Sequence, residues 1–113
     1  MISLLIDDYP LLVSPKLARA IGLNQAIAFQ HVASEIVDNG QEKDGQRWLK
    51  ATQVELQAQL PFWDINTLRR TLGKLESLGF LVCTTRYNAV KTDQTKWYAV
   101  PPLALSQALL ARR

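Results

Sequence analysis

From Ile65 to Leu75, apolar residues recur at Ile65, Leu68, Leu72 and Leu75. Positions three and four apart share one face of a helix, so the spacing predicts an amphipathic helix. Asp64 stands where an N-cap belongs, its carboxylate able to accept an orphan backbone N–H. Pro61 forces a turn after the preceding helical run, and Gly79 closes the helix as a C′ glycine does. At about 100° per residue, the opposite face carries Asn66, Thr67, Arg70 and Lys74, with Arg69 on the flank.

Ahead of this segment, Ile2 to Ile6 is a short apolar run, readable as an edge strand or an arm within residues 1–13, and broken by Tyr9-Pro10. Ser14-Pro15 is an N-cap followed by proline at the first helical position. Leu17, Ala18 and Ile21 then predict a short helix closed by Gly22. Asn24 is expected to cap the next helix, which runs to about Asp38 with Ala26, Phe29, Val32, Ala33, Ile36 and Val37 inward. Asn39-Gly40 ends it. Ile27 falls on the polar side beside His31. It is either a singly exposed residue or a contact to another subunit or to the first strand. His31 has no Cys, His or paired carboxylate at metal spacing, so it reads as a surface or interface residue.

Gln41 to Gln46 reads as an exposed loop, and Arg47 to Ala51 alternates as a short strand. Thr52 with Glu55 three residues on is a capping box, heading a helix with Val54, Leu56 and Leu60 inward. Beyond Gly79, Phe80 to Thr85 and Lys96 to Val100 read as strands, joined by the polar, basic loop Arg86 to Thr95. Pro101-Pro102 stops the second strand, and Leu103 to Leu110 predicts a terminal helix within 102–113. The order is that of an α+β chain, mainly α: a winged helix-turn-helix with a small antiparallel sheet and a β-hairpin wing.

The 113 residues make one expected domain spanning 1–113. Net charge is only +3, but unevenly placed. Met1 to Gly45 carries three bases against six acids, and Gln46 onward carries ten bases against four acids. The basic half holds the candidate recognition helix, which points to a polyanion partner on one side. No apolar run is long enough to cross a bilayer, no signal peptide is evident, and Cys83 is the single cysteine. A cytoplasmic protein without membrane association fits these features. One histidine and one cysteine, far apart, offer no nucleophile–base pair, and no phosphate-cradling glycine loop or zinc spacing is present. Neither catalysis, a cofactor nor a metal site is expected.

For DNA, Arg70 is suited to read guanine through a bidentate contact and Asn66 to read adenine. Thr67, Lys74 and Arg69 are placed for phosphates. Lys50, Arg86, Lys91 and Lys96 would hold backbone or enter the minor groove from the wing. Tyr87 and Trp97 either stack on bases or, for Trp97, pack beneath the wing. Trp63, at the turn, is expected to staple the two helices. Winged helices also serve as protein-docking modules, an alternative that the modest net charge leaves open.

Four segments carry a resemblance: residues 15 to 27, Asp44 to Leu49, Leu60 to Arg70 and Asp93 to Tyr98. Together they resemble the N-terminal winged-helix domain of phage- and plasmid-type replication proteins, the replisome organisers and DnaD-like primosomal proteins. The resemblance covers nearly the whole chain. It implies a domain that binds double-stranded DNA, often as a homo-oligomer, and that marks an origin or works with a helicase-loading protein. Relatives are usually longer, with a linker and a second domain. Asp64 stands where they tend to have serine, and Gln30 to Ile36 lacks the aromatic residues they carry there. The expected function is DNA binding in replication or maintenance. The alternatives are a transcriptional regulator on an operator and a protein–protein adaptor in a nucleoprotein assembly.

Overall fold

The computed structural model describes residues 13–93 and 95–101. The arm expected within 1–13 (Val13 apart) and the terminal helix expected within 102–113 lie outside the described residues. Four helices run Pro15–Ile21 (α1), Leu23–Asn39 (α2), Gln53–Gln59 (α3) and Ile65–Ser77 (α4) among them. The strands are Gln41–Lys43 (β1), Gln46–Ala51 (β2), Val82–Thr84 (β3) and Lys96–Ala99 (β4). They form one antiparallel sheet in the order β1-β2-β4-β3. The molecule is α+β and mainly helical, and its element order and pairing are compatible with a winged helix-turn-helix.

Local chemistry sets the helix ends. Ser14 Oγ accepts from Leu17 N at 3.2 Å, with Pro15 opening α1. Thr52 and Glu55 form a reciprocal capping box at the start of α3. At the end of α4, Gly79 takes φ +82°, the left-handed conformation that glycine adopts without a Cβ penalty. Phe80 N then donates to Leu75 O and Gly79 N to Glu76 O, the paired bonds of a Schellman motif.

The inner face of the sheet packs on the helices. Leu49, Ala51 and Tyr98 join Phe29, Val32 and Ile36 of α2, Leu56 and Leu60 of α3's end, and Leu68, Leu72 and Leu75 of α4 in one core. Phe29 and Phe80 meet edge to face, with centroids 5.4 Å apart. On the outer face, Trp48, Trp97 and Ala99 form a second buried cluster, with Tyr87 packed against it.

The structure corrects four local expectations. Gln41 to Gln46 is not a loop. It is a hairpin turning at Asp44-Gly45, where both residues have positive φ, the geometry of a two-residue type I′ turn. Asn24 does not cap α2, because the helix begins two residues earlier than that cap implies, at Leu23 with Gly22 at its N-cap. Val37 is 57% and Val54 70% exposed rather than inward. Val37 lies on the last turn of α2, where the carbonyls of Ile36 and Val37 accept from Arg47. Ile27 packs against the main core, and His31 Nε2 lies 2.6 Å from Gln59 Oε1, linking α2 to α3.

Candidate nucleic-acid interface

Helix α4 has a buried back and a polar front. Leu68, Leu72 and Leu75 are buried, which turns Asn66, Arg69, Arg70 and Lys74 to the exterior. Thr71, which the apolar pattern does not mark, is buried and donates from Oγ1 to Thr67 O at 2.7 Å. Asp64 Oδ1 accepts from Thr67 N at 2.7 Å. That backbone bond, with smaller help from nearby Arg70, holds the Asp64 carboxyl below the usual range. Asp64 therefore keeps its charge where it complements the positive end of the helix.

The neighbours of α4 orient its cations. Arg69 Nε donates to Gln53 Oε1 at 2.8 Å, bracing the guanidinium against α3. Arg70 Nη2 reaches Thr67 Oγ1 at 3.4 Å, a loose contact that leaves the fork directed outward. An open groove separates this flank from the base of the wing. Thr52, Gln53, Arg69, Asp93, Thr95 and Lys96 line it, together with the apolar Val54 and Ile65. Lys96 also borders the neighbouring groove beside Glu76 and Cys83.

The nine candidate DNA-binding residues fall into three groups. Asn66, Thr67, Arg69, Arg70 and Lys74 share α4. Lys96 lines the same groove as Arg69, and Lys91 is exposed at the wing tip. Lys50 and Arg86 instead belong to the outer face of the sheet. Lys50 pairs across strands with Trp97, and its ammonium lies 5.6 Å from that ring. Arg86 stacks 4.8 Å from the Tyr87 ring, bonds the Tyr87 hydroxyl at 2.7 Å and lies 3.9 Å from Asp44.

Stacking on bases by Trp97 or Tyr87 does not match this geometry. Trp97 is 4% exposed and donates its indole N–H to Asn88 Oδ1. The Tyr87 hydroxyl donates to Asp44 Oδ2 at 2.6 Å. Trp63 is partly buried against the main core, and its carbonyl accepts from Gln57 Nε2. Its neighbour Phe62 is exposed. Sequence reasoning passed over Gln53, Asn88 and Thr95. The one signal for Gln53 was its place directly after a strong N-cap.

Among the described residues, no three His, Cys, Asp or Glu side chains gather as a metal site. Cys83 donates to Glu76 Oε1 at 2.7 Å, and burial pushes its thiol up to about 12. At neutral pH it is a protonated, packing thiol. No helix among the described residues is long and apolar enough to cross a membrane. Comparison with family models, curated proteins and solved structures finds no match to this chain.

Proposed function

We propose that this chain binds double-stranded DNA through α4 and the wing, without catalysis, in phage- or plasmid-type replication or maintenance. The observation that carries the reading is the leucine-backed α4, whose exposed amide and guanidinium groups adjoin a groove bordered by Arg69 and Lys96. A helix of this width and chemistry suits a major groove. Arg70 and Asn66 take the base edges. Thr67, Arg69 and Lys74 take phosphates, and Lys96 and Lys91 contact backbone from the wing. Lys50 and Arg86 act chiefly on the outer sheet face, where they cover Trp97 and Trp48.

The packing of the two sheet tryptophans supports a duplex over a single strand. Single-strand binders offer exposed rings on which bases stack. Here Trp48 and Trp97 are buried, and both indole N–H groups are bonded within the protein. The replication context rests on the sequence resemblance.

Selection of bound duplexes from a random pool, with affinity then measured across salt, tests the reading. The wild-type protein is expected to enrich a defined site and to lose affinity steeply as salt rises. Arg70→Ala should cost about 1–3 kcal/mol at one base pair and relax preference there. Absence of duplex affinity at low salt overturns the reading and leaves protein docking in its place.

A further inference from the structure

We propose that Asn88 is the positioning residue that sets the wing for duplex contact and that it acts through Lys91, an inference resting on the duplex-binding reading above. Asn88 is partly buried and uses its whole amide. Its Oδ1 accepts from Trp97 Nε1 at 2.8 Å, which ties the loop to the buried cluster on β4. Its Nδ2 donates to the carbonyls of Asp93 and Thr95, each at 2.8 Å. Those carbonyls lie on the returning limb of the loop, so one side chain joins the outgoing limb to the returning limb and both to the sheet. Among the described residues of the loop, no other side chain spans the two limbs.

Asp93 finishes the frame on the returning side. Its Oδ1 accepts from Thr95 N at 3.0 Å and from Thr95 Oγ1 at 2.7 Å, while its own N–H donates to Val90 O at 3.0 Å. The tip stands outside, with Ala89, Val90, Lys91 and Thr92 exposed. Lys91 is thus carried on a loop already closed before any ligand arrives. Its contact with a phosphate does not require ordering the loop at the moment of binding. Loss of the Asn88 amide leaves the ammonium in place chemically, but the cost of ordering the loop then outweighs what one phosphate contact returns, so that contact is no longer made.

The test is a double-mutant cycle on the full chain, with duplex affinity read across salt. A phosphate contact contributes a slope near −0.9 in log K against log salt. Between 50 and 200 mM salt, that is about threefold in affinity per contact. Lys91→Ala should lose this threefold dependence, and Asn88→Ala should lose most of it too. The combined variant should bind no worse than the weaker single variant. A merely structural role would lower the active fraction equally at every salt and leave the slope unchanged.

Trp97→Phe guards against a fold failure in Asn88→Ala. It keeps the buried ring, removes one of the three bonds, and should shift the slope in the same direction by less. Unchanged slopes in both variants, or additive losses at positions 88 and 91, overturn the role of Asn88 while duplex binding stands. No duplex binding by the wild-type protein overturns the duplex reading itself, and this inference with it.

Discussion

On the inner face of the sheet, Leu49, Ala51 and Tyr98 meet three helices through mostly aliphatic side chains. On the outer face, Trp48, Trp97 and Ala99 are covered by a loop, a tyrosine ring and the stems of Lys43, Lys50 and Arg86. The inner contacts are non-directional, and each methylene lost there removes many dispersion contacts at once. The outer contacts are directed: indole to amide, hydroxyl to carboxylate, cation to ring. The first region decides whether the chain folds. The second decides where the wing stands once it has folded, so stability and the placement of cations are separable by mutation.

The sharpest way to break that comparison is Leu68→Ala. The residue is fully buried between α4 and the rest of the core, and truncation should cost about 2–5 kcal/mol in urea denaturation. A cost under about 1 kcal/mol would mean the inner core collapses around the gap far better than close packing permits. Trp97→Phe should cost about 1 kcal/mol, since it removes the hydrogen bond to Asn88 but retains the buried ring. If it cost as much as Leu68→Ala, the outer cluster would belong to the folding core and the division would fail.

A smaller effect of opposite sign is expected at Gly73. It is an exposed residue inside α4, and a Cβ added there would meet nothing within 4 Å. Gly73→Ala should raise stability by about 0.5–1 kcal/mol, read as a higher Tm. A lower Tm would show that α4 is less regular than its hydrogen bonding indicates. The smallest effect concerns pH. Hydrogen bonding to Thr67 depresses the carboxyl of Asp64, so its folded value lies below its unfolded value near 4. That contribution is fully present above about pH 4 and is lost as pH falls through the folded value. Thermal melts should therefore decline on acidification below about pH 4, and Asp64→Asn, which still caps, should flatten part of the decline.

Much of the inner region was legible in the chain because its causes are local or periodic. The caps at Ser14, Thr52 and Asp64, the closing Gly79 and the leucine face of α4 all depend on neighbours within one or two turns. Val37 and Val54 escaped because helical periodicity marks a face but not where that face runs out of neighbours. The β1–β2 hairpin was missed although Asp44-Gly45 is a strong turn dipeptide, since Gln41-Glu42-Lys43 has no apolar alternation to mark a strand.

The candidate site was legible on α4 and less so on the sheet. Lys50 and Arg86 looked equivalent to Lys91 and Lys96 as basic residues. Their positions differ because strand parity and cross-strand register place Lys50 opposite Trp97. The bonds of Asn88 join residues five, seven and nine positions away with no period, so no pattern announces them.

The antiparallel seam between β2 and β4 has a further consequence. Ala51 lies opposite Lys96, so everything from Thr52 to Thr95 emerges from one side of the seam and is stitched back at its other side. The helix pair and the wing are thus a single inserted span anchored on two adjacent piers. Such a closure carries a loop entropy that must be paid before the contacts of the seam reward it, which slows folding. It also means that a protease nick at the exposed wing tip should leave both fragments associated, because β4 stays paired with β2 on one edge and β3 on the other.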